Sequence, residues 1–108
     1  MSSPEWVSYF DPEARLEFIR ATEYYRVTAP NLNRKFIDAF EDTLAYVLDF
    51  PEANAVFHPP DIRRLAIKKF PYYLVYIIEP DAIFIVAVAH ERREPLYWLP
   101  RLEEPGRR

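Results

Sequence analysis

The chain has 108 residues, half of them hydrophobic, with no cysteine, a single glycine and a formal net charge of -3. That length suits one domain, and the apolar fraction is enough for a core that needs neither disulfide nor metal. Disulfide scaffolds, thiol catalysis and cysteine-ligated zinc are excluded, and one glycine leaves no material for a phosphate-cradling glycine-rich loop. In chain order, residues 6–10 form a short aromatic and β-branched run that reads as a strand and stops at Asp11-Pro12-Glu13. This triplet has the chemistry of a helix start: Asp11 accepts from the free N–H groups of the first turn, Pro12 has no N–H to leave unpaired, and Glu13 suits the positive helix end. Ala14, Phe18, Ala21 and Tyr25 then share one helical face, with Arg15, Glu23 and Arg26 largely on the others. Thr28-Ala29-Pro30-Asn31 interrupts the pattern. A second helix carries Leu32, Phe36, Phe40, Leu44 and Val47 and ends where Phe50 meets Pro51, because a residue before proline is pushed away from helical geometry. So short a connection predicts an antiparallel helical hairpin.

After a loop through Pro59-Pro60 the period changes to two. Residues 62–70 put Arg63, Leu65, Ile67 and Lys69 on one strand face and Arg64, Ala66 and Lys68 on the other, with Leu65 and Ile67 expected against the helices. Pro71 breaks the run, residues 72–78 resume it, and Glu79-Pro80-Asp81 is the turn into residues 82–89. Every position of that last run is apolar, as in a strand buried on both faces. The order β, α, α, β, β, β predicts an α+β fold in two layers, a helical hairpin packed on a mainly antiparallel sheet. Residues 1–98 are read as a single domain. Residues 99–108, with two prolines, the glycine and five charges, are read as a flexible C-terminal tail.

Charge is unevenly distributed. Residues 1–61 carry 11 acidic and 5 basic side chains, or -6, whereas residues 62–108 carry 6 and 9, or +3. An anionic partner is therefore sought on the second half. Two histidines, His58 and His90, without cysteine or a repeated acidic spacing predict no metal site, and no cofactor is expected. Serines at positions 2, 3 and 8 alone give no basis for a hydrolase triad. The longest apolar run is too short to span a bilayer and the first ten residues lack a secretory pattern, so a cytoplasmic chain without membrane attachment is the expectation.

This organisation resembles the ParE family of plasmid-stabilisation toxins, within the ParE/RelE superfamily. The likeness runs through Pro12, Ala14, Phe18, Ala21 and Tyr24-Tyr25 in the first helix, and Phe36, Leu44 and Pro51 in the second. It continues in RRLAIKKFPYYLVY from Arg63 and in AVAHERREPLYW from Ala87, which carries His90, Arg93, Pro95, Tyr97 and Trp98. The resemblance implies a type II toxin–antitoxin pair: a ParD-like antitoxin with a ribbon-helix-helix DNA-binding portion, operator DNA contacted only through it, and DNA gyrase as the target, inhibited by binding without catalysis. Under that reading His90, Arg92, Arg93, Tyr97 and Trp98 are the candidate toxicity residues, and Arg63, Arg64, Lys68, Tyr24 and Tyr73 the candidate antitoxin contacts. The alternative is the ribosome-dependent mRNA endonuclease activity of the RelE relatives, with His90, Arg93 and Tyr97 as catalytic residues. Glu91 falls where those enzymes tend to carry a phosphate-binding arginine, and an anion there repels the scissile phosphate, which favours the ParE reading; a one-residue bulge brings Arg92 or Arg93 into that place instead.

Overall fold

A computed structural model describes residues 7–103. Trp6, expected at the start of the first strand, and residues 104–108 of the expected tail lie outside the described residues. Strand β1 is Val7–Phe10, followed by helices α1, Pro12–Thr28, and α2, Pro30–Asp49. Asp11 caps α1 as its chemistry predicts, its side chain accepting the Glu13 N–H at 2.9 Å. Ala29 alone separates the helices, and Pro30 begins α2 at the position where its missing N–H costs nothing. Phe50 closes α2 in a non-helical conformation ahead of Pro51.

Four strands complete the fold: β2, Val56–His58; β3, Ile62–Ala66; β4, Tyr72–Glu79; and β5, Ala82–His90. Among the described residues they form a five-stranded sheet in the order β1-β5-β4-β3-β2, antiparallel throughout except that β1 runs parallel to β5. Two boundaries differ from the sequence reading. The short strand β2 lies in what periodicity alone gives as a loop, since three residues ahead of two prolines are too few to show alternation. Strand β3 ends at Ala66 instead of continuing to Phe70: the Ile67 N–H donates to the Tyr72 carbonyl, Phe70 N–H to the Ile67 carbonyl, and Lys69 takes φ 72, so Lys68-Lys69 is a turn.

Each sheet face has its own core. Phe36, Phe40, Tyr25 and Val47 from the hairpin meet Leu74, Tyr76, Ile83 and Ile85 on one side, where the Phe18 ring stacks on that of Phe36 and lies tilted against that of Phe40. On the other side Ile62, Val75, Ile77, Phe84 and Val86 are covered by Trp98 with Leu96, Leu99 and Leu102. The covering chain corrects a further expectation. Leu99–Glu103, read as the beginning of a loose tail, is a 3-10 helix, held because Leu99 and Leu102 pack on the sheet and Arg101 finds a buried partner. No helix among the described residues is long and apolar enough to cross a membrane.

Candidate functional site: the end of the central strand

Strand β5 carries the site, and its side chains do not simply alternate. Val75 pairs with Ala87 but Tyr76 pairs with Ile85, so Val86 is an extra residue. Val86 and Ala87 both pack on the second face, and Val88 returns to the helix face. This bulge resets the phase of everything after it. It places His90 beside Tyr72, edge to face with ring centroids 5.0 Å apart. The bulge lies well before Arg92 and Arg93, and because β5 ends at His90 the residues after it obey no strand alternation. They turn instead: the Glu91 N–H donates to the Pro71 carbonyl at 2.8 Å, the Arg93 N–H to the His90 carbonyl at 3.0 Å, and the Arg92 N–H to His90 Nδ1 at 3.0 Å. That last bond uses Nδ1 as an acceptor.

Where β1 stops pairing at Ile85, two side chains take over the edge of β5. Glu17 Oε1, from α1, accepts the Val88 N–H at 2.9 Å, and Arg101 Nη1, from the 3-10 helix, donates to the Val86 carbonyl at 2.9 Å. The two also pair with each other, Arg101 Nη2 to Glu17 Oε2 at 2.7 Å and Nη1 to Oε1 at 3.1 Å, with side chains only 13% and 9% exposed. The Tyr97 hydroxyl donates to the same Glu17 Oε2 at 2.6 Å. Burial and the neighbouring Glu17 carboxylate push the Tyr97 phenol far above its ordinary value. Burial opposes the charge of Arg101, but the Glu17 carboxylate outweighs it and the Arg101 pKa is raised.

The sequence candidates separate around this cluster. His90, Arg93, Tyr97 and Trp98 line one depression of about 80 Å³, and the Arg93 guanidinium lies 3.8 Å from the centre of the Tyr97 ring. Trp98 is buried against the second face, its ring 6.3 Å from that of Phe57, and Arg92 is exposed and does not line the depression. The candidate antitoxin contacts do not form one surface. Arg64 is held between Phe57 and Tyr73, 4.0 and 4.2 Å from the ring centres, on the edge of the depression with Arg93. Arg63 faces the other way and donates to the carbonyls of Glu52 and Asn54. Lys68 belongs to a groove of about 1030 Å³ between α2 and β3, and Tyr24, 58% exposed, to a third hollow with Tyr72 and His90. Arg64 and Lys68, expected on one strand face, are parted because the strand ends between them.

Sequence reasoning misses Glu17 and Arg101. For Glu17 a signal exists: it lies three residues after Ala14 and four before Ala21, a lone charge inside the buried stripe of α1. Nothing local marks Arg101, whose partner lies 84 residues away. Among the described residues no group of three or more His, Cys, Asp or Glu side chains is placed to hold a metal ion.

Several solved structures have a fold similar to this helical hairpin packed on a sheet. The chain is similar to a chain of the chromosomal ParDE TA system from P. aeruginosa, with a TM-score of 0.69 and 14% identity over 82% of this chain and 98% of that one. It is similar to an arginine double mutant of the E. coli toxin RelE in the free state, TM-score 0.61 and 21% identity over 86% and 90% of the two chains. The isolated E. coli RelE toxin gives 0.56 and 22% over 88% and 94%. Comparison with curated proteins finds no match. Residues 9–95 match the family described as ParE toxin of type II toxin-antitoxin system, parDE, and the chain belongs to that family.

Proposed function

We propose that this ParE-type toxin acts in the cytoplasm by binding DNA gyrase and arresting replication, and that a ParD-like antitoxin with a ribbon-helix-helix portion neutralises it. The observation that carries the choice of a binder over a nuclease is the state of Tyr97. Cleavage of RNA through the neighbouring 2′-hydroxyl needs a base, a cationic clamp and a proton donor for the leaving oxygen. The Tyr97 proton is directed at Glu17 inside a buried ion pair, and its pKa is raised well away from the working range of an acid catalyst. Arg64 and Arg93, each stacked on aromatic rings at the surface, suit recognition of a macromolecule without further chemistry.

The antitoxin is assigned the groove between α2 and β3, lined by the apolar Leu32, Leu65 and Phe70, with Lys68 and Lys69 on the β3 side and Lys35, Asp38 and Asp42 on α2. Such a groove suits an amphipathic segment with acidic flanks. The deciding measurement is labelled thymidine against labelled amino-acid incorporation in the first minutes after the toxin is induced alone, paired with a supercoiling assay on purified gyrase. DNA synthesis stops first and supercoiling is inhibited on the proposed reading. Early loss of protein synthesis, with ribosome-dependent cleavage of messenger RNA, overturns it in favour of the RelE-like alternative.

A further inference from the structure

The Glu17–Arg101 pair differs from the other ion pairs of the described residues. Glu23–Arg26 and Arg34–Asp38 join neighbours on one helix, with side chains at least 56% exposed, whereas Glu17 and Arg101 are nearly buried and tie α1 to the 3-10 helix. An apolar pair of similar volume commonly stabilises a core as well or better, so stability alone does not explain a buried pair. Here its geometry has a specific use. Among the described residues no strand pairs with β5 past Ile85 on the β1 side, and a bare strand edge leaves backbone groups without partners. One carboxylate and one guanidinium complete that edge at Val88 and Val86, then grip each other, and the carboxylate also takes the Tyr97 hydroxyl. Residues 97 and 101 flank Trp98, so the segment that covers the second face is fixed at two points to a single carboxylate on α1. Arg93, stacked on the Tyr97 ring, takes its orientation from the same anchor.

We propose that Glu17 and Arg101 form a latch: they are positioning residues that hold Tyr97 and Arg93 in the arrangement presented to the target and Trp98 against the sheet, and the covering segment leaves the sheet when the pair is broken. The role assigned to Arg93 and Tyr97 rests on the proposed binding surface, whereas the latch itself does not. The test uses the full chain in a Trp6→Phe background, which makes Trp98 the sole tryptophan, with Arg101→Met, Glu17→Gln and Arg101→Lys. Hydrogen exchange of residues 86–103, acrylamide quenching of Trp98, growth arrest on induction and inhibition of purified gyrase are read together.

In Arg101→Met and Glu17→Gln, amides of residues 94–103 and of the β5 edge exchange about tenfold faster or more, while those of α2 do not change. Trp98 becomes quenchable, and growth arrest and gyrase inhibition weaken about tenfold or more at a temperature where each variant is fully folded. Arg101→Lys keeps the charge but not the fork, so it recovers protection and toxicity together and only in part. Unchanged exchange in the segment overturns the latch, as does a released segment with wild-type growth arrest. Should Arg101→Met fail to fold, Arg101→Lys decides alone: loss of protection without loss of toxicity, or the reverse, refutes the positioning role. A wild-type chain that arrests growth but leaves purified gyrase untouched refutes the gyrase reading and leaves the latch to be judged on exchange and growth arrest.

Discussion

Glu17 is a carboxylate in a buried stripe, and its neighbourhood sets the consequences of single substitutions. Replacing Arg101 with methionine leaves that carboxylate buried with its cation removed, which costs about 3–5 kcal/mol; a lowered urea midpoint checks the prediction, and a change within error refutes it. Tyr97→Phe removes one donor and no charge, so its cost is smaller, about 1–3 kcal/mol. The phenols predict a pH dependence as well. Burial raises Tyr97, Tyr72, Tyr76 and Tyr25 above the ordinary 10.0, so each binds its proton more tightly folded than unfolded. Their contribution is complete below pH 10 and is lost as pH rises through the folded values. Urea midpoints should therefore fall above pH 10, and Tyr97→Phe should flatten part of that fall. A midpoint constant to strongly alkaline pH would contradict the assignment.

At the scale of elements, the hairpin is fixed to the sheet by aromatic contacts centred on Phe36. It is fully buried and its ring meets those of Phe18, Tyr25, Phe70 and Tyr72. Phe36→Ala should cost about 3–5 kcal/mol, read from chemical denaturation. The entry to α1 depends on Asp11, which caps the helix and donates its N–H to the Ile85 carbonyl, thereby joining the end of β1 to β5. Most of this layer is legible in sequence, because the spacing of Phe36, Phe40, Leu44 and Val47 carries phase information. The bulge is not. From Ala82 to Ala89 every residue is apolar, so alternation says nothing about face, and an inserted residue leaves no trace in the pattern.

Across the whole molecule, the parallel pairing of β1 with β5 brings the first and last strands side by side, and the Glu17–Arg101 pair fastens the chain beyond them. The charge imbalance between the two halves of the sequence becomes spatial: Lys68 and Lys69 border the groove beside α2, while Arg64 and Arg93 border the depression on the opposite face. Capture of an acidic antitoxin segment in the groove should slow steeply with salt, as the screening length falls from about 10 Å at 0.1 M to about 3 Å at 1 M. Association rates from stopped flow test this; a rate independent of salt would remove the lysines from the encounter.

The sequence by itself determined the order of the main elements, the two-layer α+β class, the buried face of each helix, the opposite faces of Arg63 and Arg64, and the family resemblance. These follow from periodicity, caps and prolines, which act over a few residues. Only the tertiary structure decided that Tyr97 donates to Glu17, that Arg101 closes the edge of β5, that Leu99–Glu103 is a 3-10 helix packed on the sheet, and that of the five candidate antitoxin contacts Arg64 and Tyr73 lie together while the others lie elsewhere. Those outcomes depend on which backbone groups the ending of β1 leaves unpaired, and on side chains about 80 residues apart in the chain meeting there to satisfy them.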